Sequence, residues 1–555
     1  MGHTCQDQNM SESVLSRHEL SSVNVVSPMT YELLQPADLE PGSPVLLWLH
    51  GGDGPEQFTP QTRPAFEQCW GDGSLPPMSV VIPHSTRSFW LDGVGENAAW
   101  ETMLTEELLP RVREQHGGGD VAVTGGISMG GMGSLRLAFR HPELFAAVVS
   151  MEPGIEPTEI YGEVRERDRV FRRDGVMEAL FGDPVDASLY RRNHPVQVAM
   201  DNAVDIVASG LAIYLECGDE DFLHLQNGTE ALHRRLWDVG IRHEYRSVRG
   251  GNHIGRSLGP RLIDALRFLG RSLEEATEDE QLSLVKAGLP QFDLTNELKR
   301  ETVIEGPTGS IQVWEYGDGE PVLLIPSLGR GAADFEDLAR RLAYAGYHAI
   351  YPEPRGINGS TGDLRDLSMA DLAADAAAVV HAVANGPVTI VGHAFGNRVS
   401  RMTATDYPHL VDSVVLLCCG GQVRPAPEHE EALIKVFDVE ASDEDHLAAV
   451  DLAFFAEGND ASVWFDGWHG VAAAGQGAAT ASQPIEHWWG AGGKDLFIVQ
   501  PDEDVMAVTE NAQNLCAAFP DRASMVMVKH AGHALLPEQP EAVEVAVRSW
   551  LTRVR

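Results

Sequence analysis

Gly126-Ile127-Ser128-Met129-Gly130 stands between an apolar run, Asp120-Val-Ala-Val-Thr124, and a helical pattern from Met132 to Phe139. A serine on a strand-to-helix turn, with glycine two places to either side, is the layout of a nucleophile elbow. The turn is so sharp that the flanking positions must be small. Its strain lifts the hydroxyl clear of the backbone, and the following helix aims its positive end at a developing oxyanion. The Met129 amide is then one oxyanion donor, and Gly51 or Gly52, after the run Pro44-Val-Leu-Leu-Trp-Leu-His50, supplies the second. A serine at ordinary acidity needs a base and a group to orient that base. The chain order expected here is serine, acid, histidine. The run Leu211–Leu215 leads into Gly218-Asp219-Glu220-Asp221, which offers Asp221 as the acid, with Asp219 as the alternative. The last strand pattern, Arg242–Val248, leads into Arg249-Gly-Gly-Asn-His253, so His253 is the base. Ser128, Asp221 and His253 would cleave an ester, thioester or lactone through an acyl-serine, with a small-molecule acyl substrate and no metal or organic cofactor. The same three residues would serve an acyltransferase, with an alcohol or amine in place of water.

A second elbow is built without its reagent. Gly392-His-Ala394-Phe-Gly396 follows the run Pro387–Val391 and precedes Asn397-Arg-Val-Ser. Ala394 has no nucleophilic atom. The acid loop Pro501-Asp502-Glu503-Asp504 offers Asp504, with Asp502 as the alternative, and Ala531-Gly-His533 offers the base. The amides of Leu328 and Phe395 remain as oxyanion donors. Four readings stand: a retired site kept as a structural partner, a site working without a nucleophile, a ligand-binding module, and a deliberate serine-to-alanine change. The second includes lyase, isomerase or cyclase chemistry at His533.

The elements that must hold these residues recur in one order. Pro44–His50, Met78–Pro83, Asp120–Thr124, Ala146–Ser150 and Leu211–Leu215 are short and rich in Val, Ile and Leu, as parallel strands covered on both faces are. Helical patterns such as Glu101–Gln115 lie between them. Pro321–Pro326, Tyr347–Pro352, Pro387–Val391, Ser413–Leu417 and Asp495–Val499 repeat the series. The fold class expected is α/β, with two tandem doubly wound, mostly parallel sheets, each carrying a cap insertion. The seam falls between Arg271 and Gly306, where an acidic stretch meets the breaker Leu289-Pro-Gln-Phe-Asp293, which gives domains 1–285 and 286–555.

Composition narrows the partners. The 555 residues carry a formal net charge of -41, which excludes the basic surface that nucleic acid or an anionic membrane needs. The 6 cysteines include no C-x-x-C pair, so neither zinc nor a disulfide framework is signalled, and a reducing cytoplasm is the expected location. The polar opening residues lack the apolar core of a signal peptide. Gly2 and Cys5 resemble an acylation site, but Gln6 breaks its pattern.

Ser85-Thr-Arg-Ser-Phe-Trp-Leu-Asp-Gly93, Trp100-Glu101, Ile127-Ser-Met-Gly-Gly131 and Phe139-Arg-His-Pro-Glu-Leu-Phe145 resemble the putative-esterase family. That family includes esterase D (S-formylglutathione hydrolase), siderophore esterases and mycolyltransferases. The resemblance covers about residues 40–270 and implies an α/β-hydrolase fold and ester or thioester cleavage. Residues 152–202 would be the insertion over the pocket, where an arginine could grip an acidic substrate group or simply join a solvated face of ion pairs. Trp90 and Trp100 would line the acyl pocket or pack in the core. Residues 300–555 are similar to the α/β-hydrolases that include haloperoxidase-like, lactone and carbon–carbon bond hydrolases, through Pro352-Glu-Pro-Arg-Gly356, the second elbow and Ala531–Pro540. There Pro326-Ser-Leu-Gly329 replaces the usual His-Gly. The aromatics Trp464, Phe465, Trp468, Trp488 and Trp489 in 420–493 suggest an apolar lid or a domain interface, packed on itself or forming a substrate pocket or docking surface.

Overall fold

Buried runs of Val, Ile and Leu become the middle of each sheet, because a strand covered by helices on both faces exposes no polar alternation. In the computed structural model, which describes residues 13–52, 54–172, 175–273 and 299–553, the chain divides into Met1–Leu289 and Pro290–Arg555. The boundary expected near residue 285, with its acidic stretch, lies outside the described residues, as do Gly2, Cys5 and Gln6.

The first unit contains β1 (Ser13–Leu20), β2 (Met29–Pro36), β3 (Ser43–Leu49), β4 (Ser79–Pro83), β5 (Gly118–Ile127), β6 (Ala147–Met151), β7 (Ala212–Gly218) and β8 (Glu244–Val248). They form one sheet in the order β1-β2-β4-β3-β5-β6-β7-β8. The strands from β3 onward run parallel, so the carboxyl ends of β3, β5, β6, β7 and β8 open along one edge. The second unit contains β9 (Lys299–Glu305), β10 (Ser310–Tyr316), β11 (Glu320–Ile325), β12 (Tyr347–Pro352), β13 (Val388–His393), β14 (Val411–Leu417), β15 (Asp495–Pro501) and β16 (Ala523–Val528). Its order, β9-β10-β12-β11-β13-β14-β15-β16, repeats that of the first. Two tandem α/β sheets are therefore present, as the repeated pattern predicts.

Each sheet opens with an antiparallel pair that the apolar pattern does not announce. β1 pairs with β2, and β9 with β10. β1, SVLSRHEL, is exposed along most of its length, and its sequence reads as polar tail. β9, KRETVIE, falls where the sequence suggests a linker. Both are edge strands, and an edge needs no apolar face to be held in register by a paired neighbour. β16 is equally silent in the sequence, for its burial is only partial.

The expected helix 101–115 is helical from Trp100 to His116, but Met103–Leu108 winds as a π-turn. The helix after the first elbow, Met129–Arg140, is buried almost throughout. It carries Arg136, whose guanidinium donates to Glu101 at 2.9 Å and to the Asn193 carbonyl and side chain at 2.8 and 2.7 Å. Pairing with Glu101 offsets the cost of burying this cation, and the bonds to Asn193 tie the helix to the 152–202 insertion, while Nη1 has no hydrogen-bond partner among the described residues. That insertion is built of short turns and helices, with Tyr161–Glu163 and Glu166–Asp168 as single 3-10 turns.

Candidate active site

Ser128 takes φ 60° and ψ −118°, a left-handed conformation that costs a non-glycine residue about 1–3 kcal/mol. The surroundings enforce it. A Cβ placed on Gly130 would lie 1.9 Å from the Leu49 carbonyl oxygen, so β3 and the elbow helix can approach only over bare backbone. The Ser128 amide donates to Met151 O at 2.9 Å, locking the turn to β6.

His253 and Asp221 meet directly. Nδ1 of His253 lies 2.8 Å from Asp221 Oδ2, while Asp221 Oδ1 accepts the Leu223 amide at 2.6 Å. Asp219 instead accepts the Gly250 amide at 2.6 Å, closing the glycine loop that carries His253. The structure thus pairs Asp221, and not Asp219, with the imidazole. Burial pushes the Asp221 carboxyl up, but hydrogen bonds from His253 and Glu152 outweigh it and hold the carboxyl below the usual aspartate range.

Ser128, Met129, Gly51, Gly52 and His253 line one cavity of about 450 Å³. No hydrogen bond joins Ser128 Oγ to the imidazole among the described residues; such bonds are often long in an empty site and tighten around substrate. The first backbone N–H groups of a helix have no intrahelical partner, so Met129 presents its amide at the helix start. Gly51 faces it: a Cβ there would lie 3.5 Å from that of Ser128. His50 fixes this strand end. It accepts the Ser85 amide on Nε2 at 3.1 Å and so donates Nδ1–H to Gly51 O at 2.7 Å. Burial lowers its pKa to about 4, in keeping with a neutral ring. The rest of the wall mixes apolar groups, Phe58, Phe89, Phe171 and Leu258, with the polar side chains of Gln61 and Arg87, and the insertion contributes Val170, Phe171 and Val176. Trp90 is a core residue rather than a pocket wall, fully buried and donating to His50 O. Arg172 of the insertion is paired with Glu156 at 2.9 Å, so this arginine joins an ion pair.

Three residues that no sequence motif singles out lie behind the Asp221–His253 pair. Arg261 donates to both Glu216 and Glu152, and all three are buried. Only the fold joins the ends of β6 and β7 to the helix Leu258–Leu273 that carries Arg261. Arg261→Met leaves two buried carboxyls without their cation. The expected result is a loss of about 3–5 kcal/mol of stability, read as a lower urea midpoint of the first unit; an unchanged midpoint would refute the role given to this ion cluster.

The second unit repeats the mount. Ala394 takes φ 50° and ψ −104°, and its amide donates to Leu417 O at 2.9 Å. A Cβ on Gly396 would lie 2.1 Å from Ile325 O. His533 Nδ1 lies 3.0 Å from each oxygen of Asp504, and the backbone amides of Met506 and Ala507 also donate to that carboxylate. Asp502 points elsewhere, toward Lys529 at 3.8 Å. Burial favours the neutral form of Asp504, but attraction to His533 and its hydrogen bonds prevail and hold its pKa below the usual range. Phe395 is buried at the helix start, and Leu328 follows β11 as a half-buried residue.

The site is roofed: Ala394 is 8% exposed and His533 7%. Phe454 lies over the His533 ring at 5.7 Å and stacks on Trp468, while Arg330 sits between Trp464 and Trp468 at 4.6 and 4.4 Å. Trp488 and Trp489, expected in the lid, pack instead on Arg401 of the elbow helix, each 4.7 Å from its guanidinium. A serine at 394 would inherit the elbow, the histidine and the acid. The double variant Ser128→Ala/Ala394→Ser is expected to gain one covalent adduct with diisopropyl fluorophosphate, at residue 394, where Ser128→Ala gains none. Intact-mass spectrometry reads the adduct, and its absence after prolonged incubation would count against a preserved dyad.

Two sheets of this topology, each with a left-handed elbow between its central strand and a buried helix, are tandem α/β-hydrolase domains. Residues 21–269 match the family described as "Putative esterase", and residues 320–439 the "alpha/beta hydrolase fold". The first domain thus resembles the esterase family and the second the wider α/β-hydrolase group, in a tandem architecture. The chain is 37% identical over 101 residues to "Putative carbamate hydrolase RutD" of Variovorax paradoxus, covering 18% of this chain and 38% of that protein. It is 23% identical over 184 residues to an acetyl esterase of Caldicellulosiruptor saccharolyticus, covering 32% of this chain and 65% of that protein. It therefore spans less than two thirds of either relative. A solved ferulic acid esterase superposes with a TM-score of 0.40 at 22% identity, over 47% of this chain and 99% of that structure. Among the described residues no helix is long and apolar enough to cross a membrane.

Proposed function

We propose that the first domain is a serine esterase that hydrolyses a carboxylic ester, thioester or lactone through an acyl-Ser128 intermediate. The observation that carries this reading is the Asp221–His253 bond on the wall of a cavity that Ser128 and its oxyanion donors also line. Asp221 accepts Nδ1–H, which leaves Nε2 as the proton acceptor. Ser128 Oγ attacks the carbonyl carbon as Nε2 takes its proton. The Met129 amide and that of Gly51 or Gly52 receive the oxyanion. The imidazolium then protonates the departing alcohol or thiol, and water repeats the sequence on the acyl-serine to release the acid. Phe58, Phe89, Phe171 and Leu258 offer apolar surface to an acyl group, while Gln61 and Arg87 on the same wall offer polar contacts. The family match and the acetyl esterase among the relatives support the same class of reaction. In the second domain Ala394 cannot form an acyl-enzyme, and its buried, aromatic-covered site fits a structural or substrate-holding role.

The test is a panel of acyl esters and thioesters of graded chain length, with peptide mass spectrometry of the trapped protein. The expected result is turnover with an acyl adduct on Ser128; turnover with the adduct elsewhere, or with none at any time, rejects the assignment.

A further inference from the structure

The inference here rests on the esterase reading and concerns the acid behind its histidine. Three carboxyls, Glu152, Glu216 and Asp221, are 0%, 0% and 2% exposed, and one cation, Arg261, is buried among them. Three buried negative charges against one positive charge is a costly arrangement in a region of low dielectric. One shared proton relieves it.

The hydrogen bonds say which carboxyl holds that proton. Glu216 is gripped by Nε and Nη2 of Arg261. Asp221 accepts from His253 and from the Leu223 amide. Glu152 accepts the Gly218 amide and Arg261 on Oε1, and on Oε2 the weak thiol of Cys217 is the sole donor among the described residues. Oxygens of Glu152 and Asp221 and a ring nitrogen of His253 all lie within 4.8 Å of one another. Oε2 is the oxygen with room for a proton. Burial and the bond to Asp221 push Glu152 up to about 7, against the pull of Arg261.

The second domain supplies an independent comparison. Glu152 is the first residue after β6, at φ 45°, and its amide donates to Glu216 O on β7 at 2.9 Å. Cys418 is the first residue after β14, at φ 59°, and its amide donates to Val499 O on β15 at 3.1 Å. Cys418, Asp504 and His533 also lie within 4.8 Å of one another. Burial raises the Cys418 thiol well above its ordinary range, so it stays neutral. Both domains thus set a left-handed residue with a side-chain proton against the acid–histidine pair.

We infer that Glu152 is a positioning residue of the Ser128 site, donating a shared proton to Asp221 and so holding that carboxylate on His253 Nδ1. The groups facing it are Glu216 and Cys217 from β7, Asp221 from the following loop, His253 from the glycine loop and Arg261 from the helix beyond. When Glu152 loses its proton, it no longer donates to Asp221, and a second negative charge opposes that carboxylate. The form in which a supported Asp221 orients His253 is then lost as pH rises through that step.

The experiment compares wild type, Glu152→Gln and Glu152→Ala with an ester substrate between about pH 5.5 and 9. In wild type kcat/KM is expected to bend downward near pH 7. Glu152→Gln keeps a neutral donor, so it should hold wild-type kcat within about three-fold at pH 6 and lose the bend. Glu152→Ala should lower kcat about ten-fold or more with KM unmoved, the size expected for one link of a buried network. A Gln variant that keeps the bend, or an Ala variant with wild-type kcat, overturns the proposal. A readout free of turnover is the His253 Nδ1 proton resonance in Ser128→Ala protein. It should shift near pH 7 only while Glu152 is present, and a flat titration overturns the proposal. Failure of the esterase reading has a different signature, the lack of any turnover or Ser128 adduct in wild type.

Discussion

Ser128→Ala is expected to lower kcat for ester hydrolysis by about 10³–10⁶-fold with the fold intact. The variant removes only the attacking oxygen. Alanine can keep the elbow at φ 60°, because Ala394 holds φ 50° in the second domain. The mount does not depend on the hydroxyl: Ser128 Oγ makes no hydrogen bond among the described residues, and the jammed glycine contact with β3 is independent of it. KM should change little, since the rest of the cavity wall is untouched. Circular dichroism should overlay wild type, and a fluorophosphonate probe should no longer label the first domain. Activity within ten-fold of wild type would remove Ser128 from the chemistry.

Asp221→Asn should cost about 10⁴-fold in kcat, by a different route. Asp221 Oδ1 is engaged by the Leu223 amide, so the amide oxygen of asparagine is held there and its NH2 turns toward His253. The imidazole then meets a donor where it needs an acceptor. Its proton moves to Nε2, the nitrogen that must take the proton of Ser128. The neighbouring carboxylate is a control: Asp219 binds only the Gly250 amide among the described residues, so Asp219→Asn should stay within a few-fold of wild type. The two kcat values measured side by side decide it, and comparable losses in both variants would mean that Asp221 acts through the loop rather than through the imidazole.

What the sequence makes legible follows motif density. The central strands are apolar enough to read as buried on both faces, and the elbows follow them with glycines at fixed offsets, so the parallel core and its repeat are plain. Chain order narrows the acid to one loop, and the hydrogen bond from the His253 ring then distinguishes Asp221 from Asp219. β1 and β9 are not legible, because a half-exposed edge strand carries no continuous apolar signal, and β2 and β10, paired on both sides, alternate buried with half-buried residues and so show no continuous apolar run either. Glu152 and Arg261 are hidden for another reason. Their 109-residue separation is closed only by the fold, and neither belongs to a local pattern. The lid aromatics are legible as a group but not as two: Trp464 and Trp468 pack on Phe454, which covers His533, whereas Trp488 and Trp489 pack on a guanidinium of the elbow helix.

The roof over His533 has a consequence for traffic. Phe454 covers the imidazole and is itself stacked against Trp468, which shares Arg330 with Trp464, so none of these groups can withdraw singly. A visitor approaching that histidine from the side of Phe454 therefore has to displace an interlocked stack, whereas Ser128 lies on the wall of a cavity of about 450 Å³.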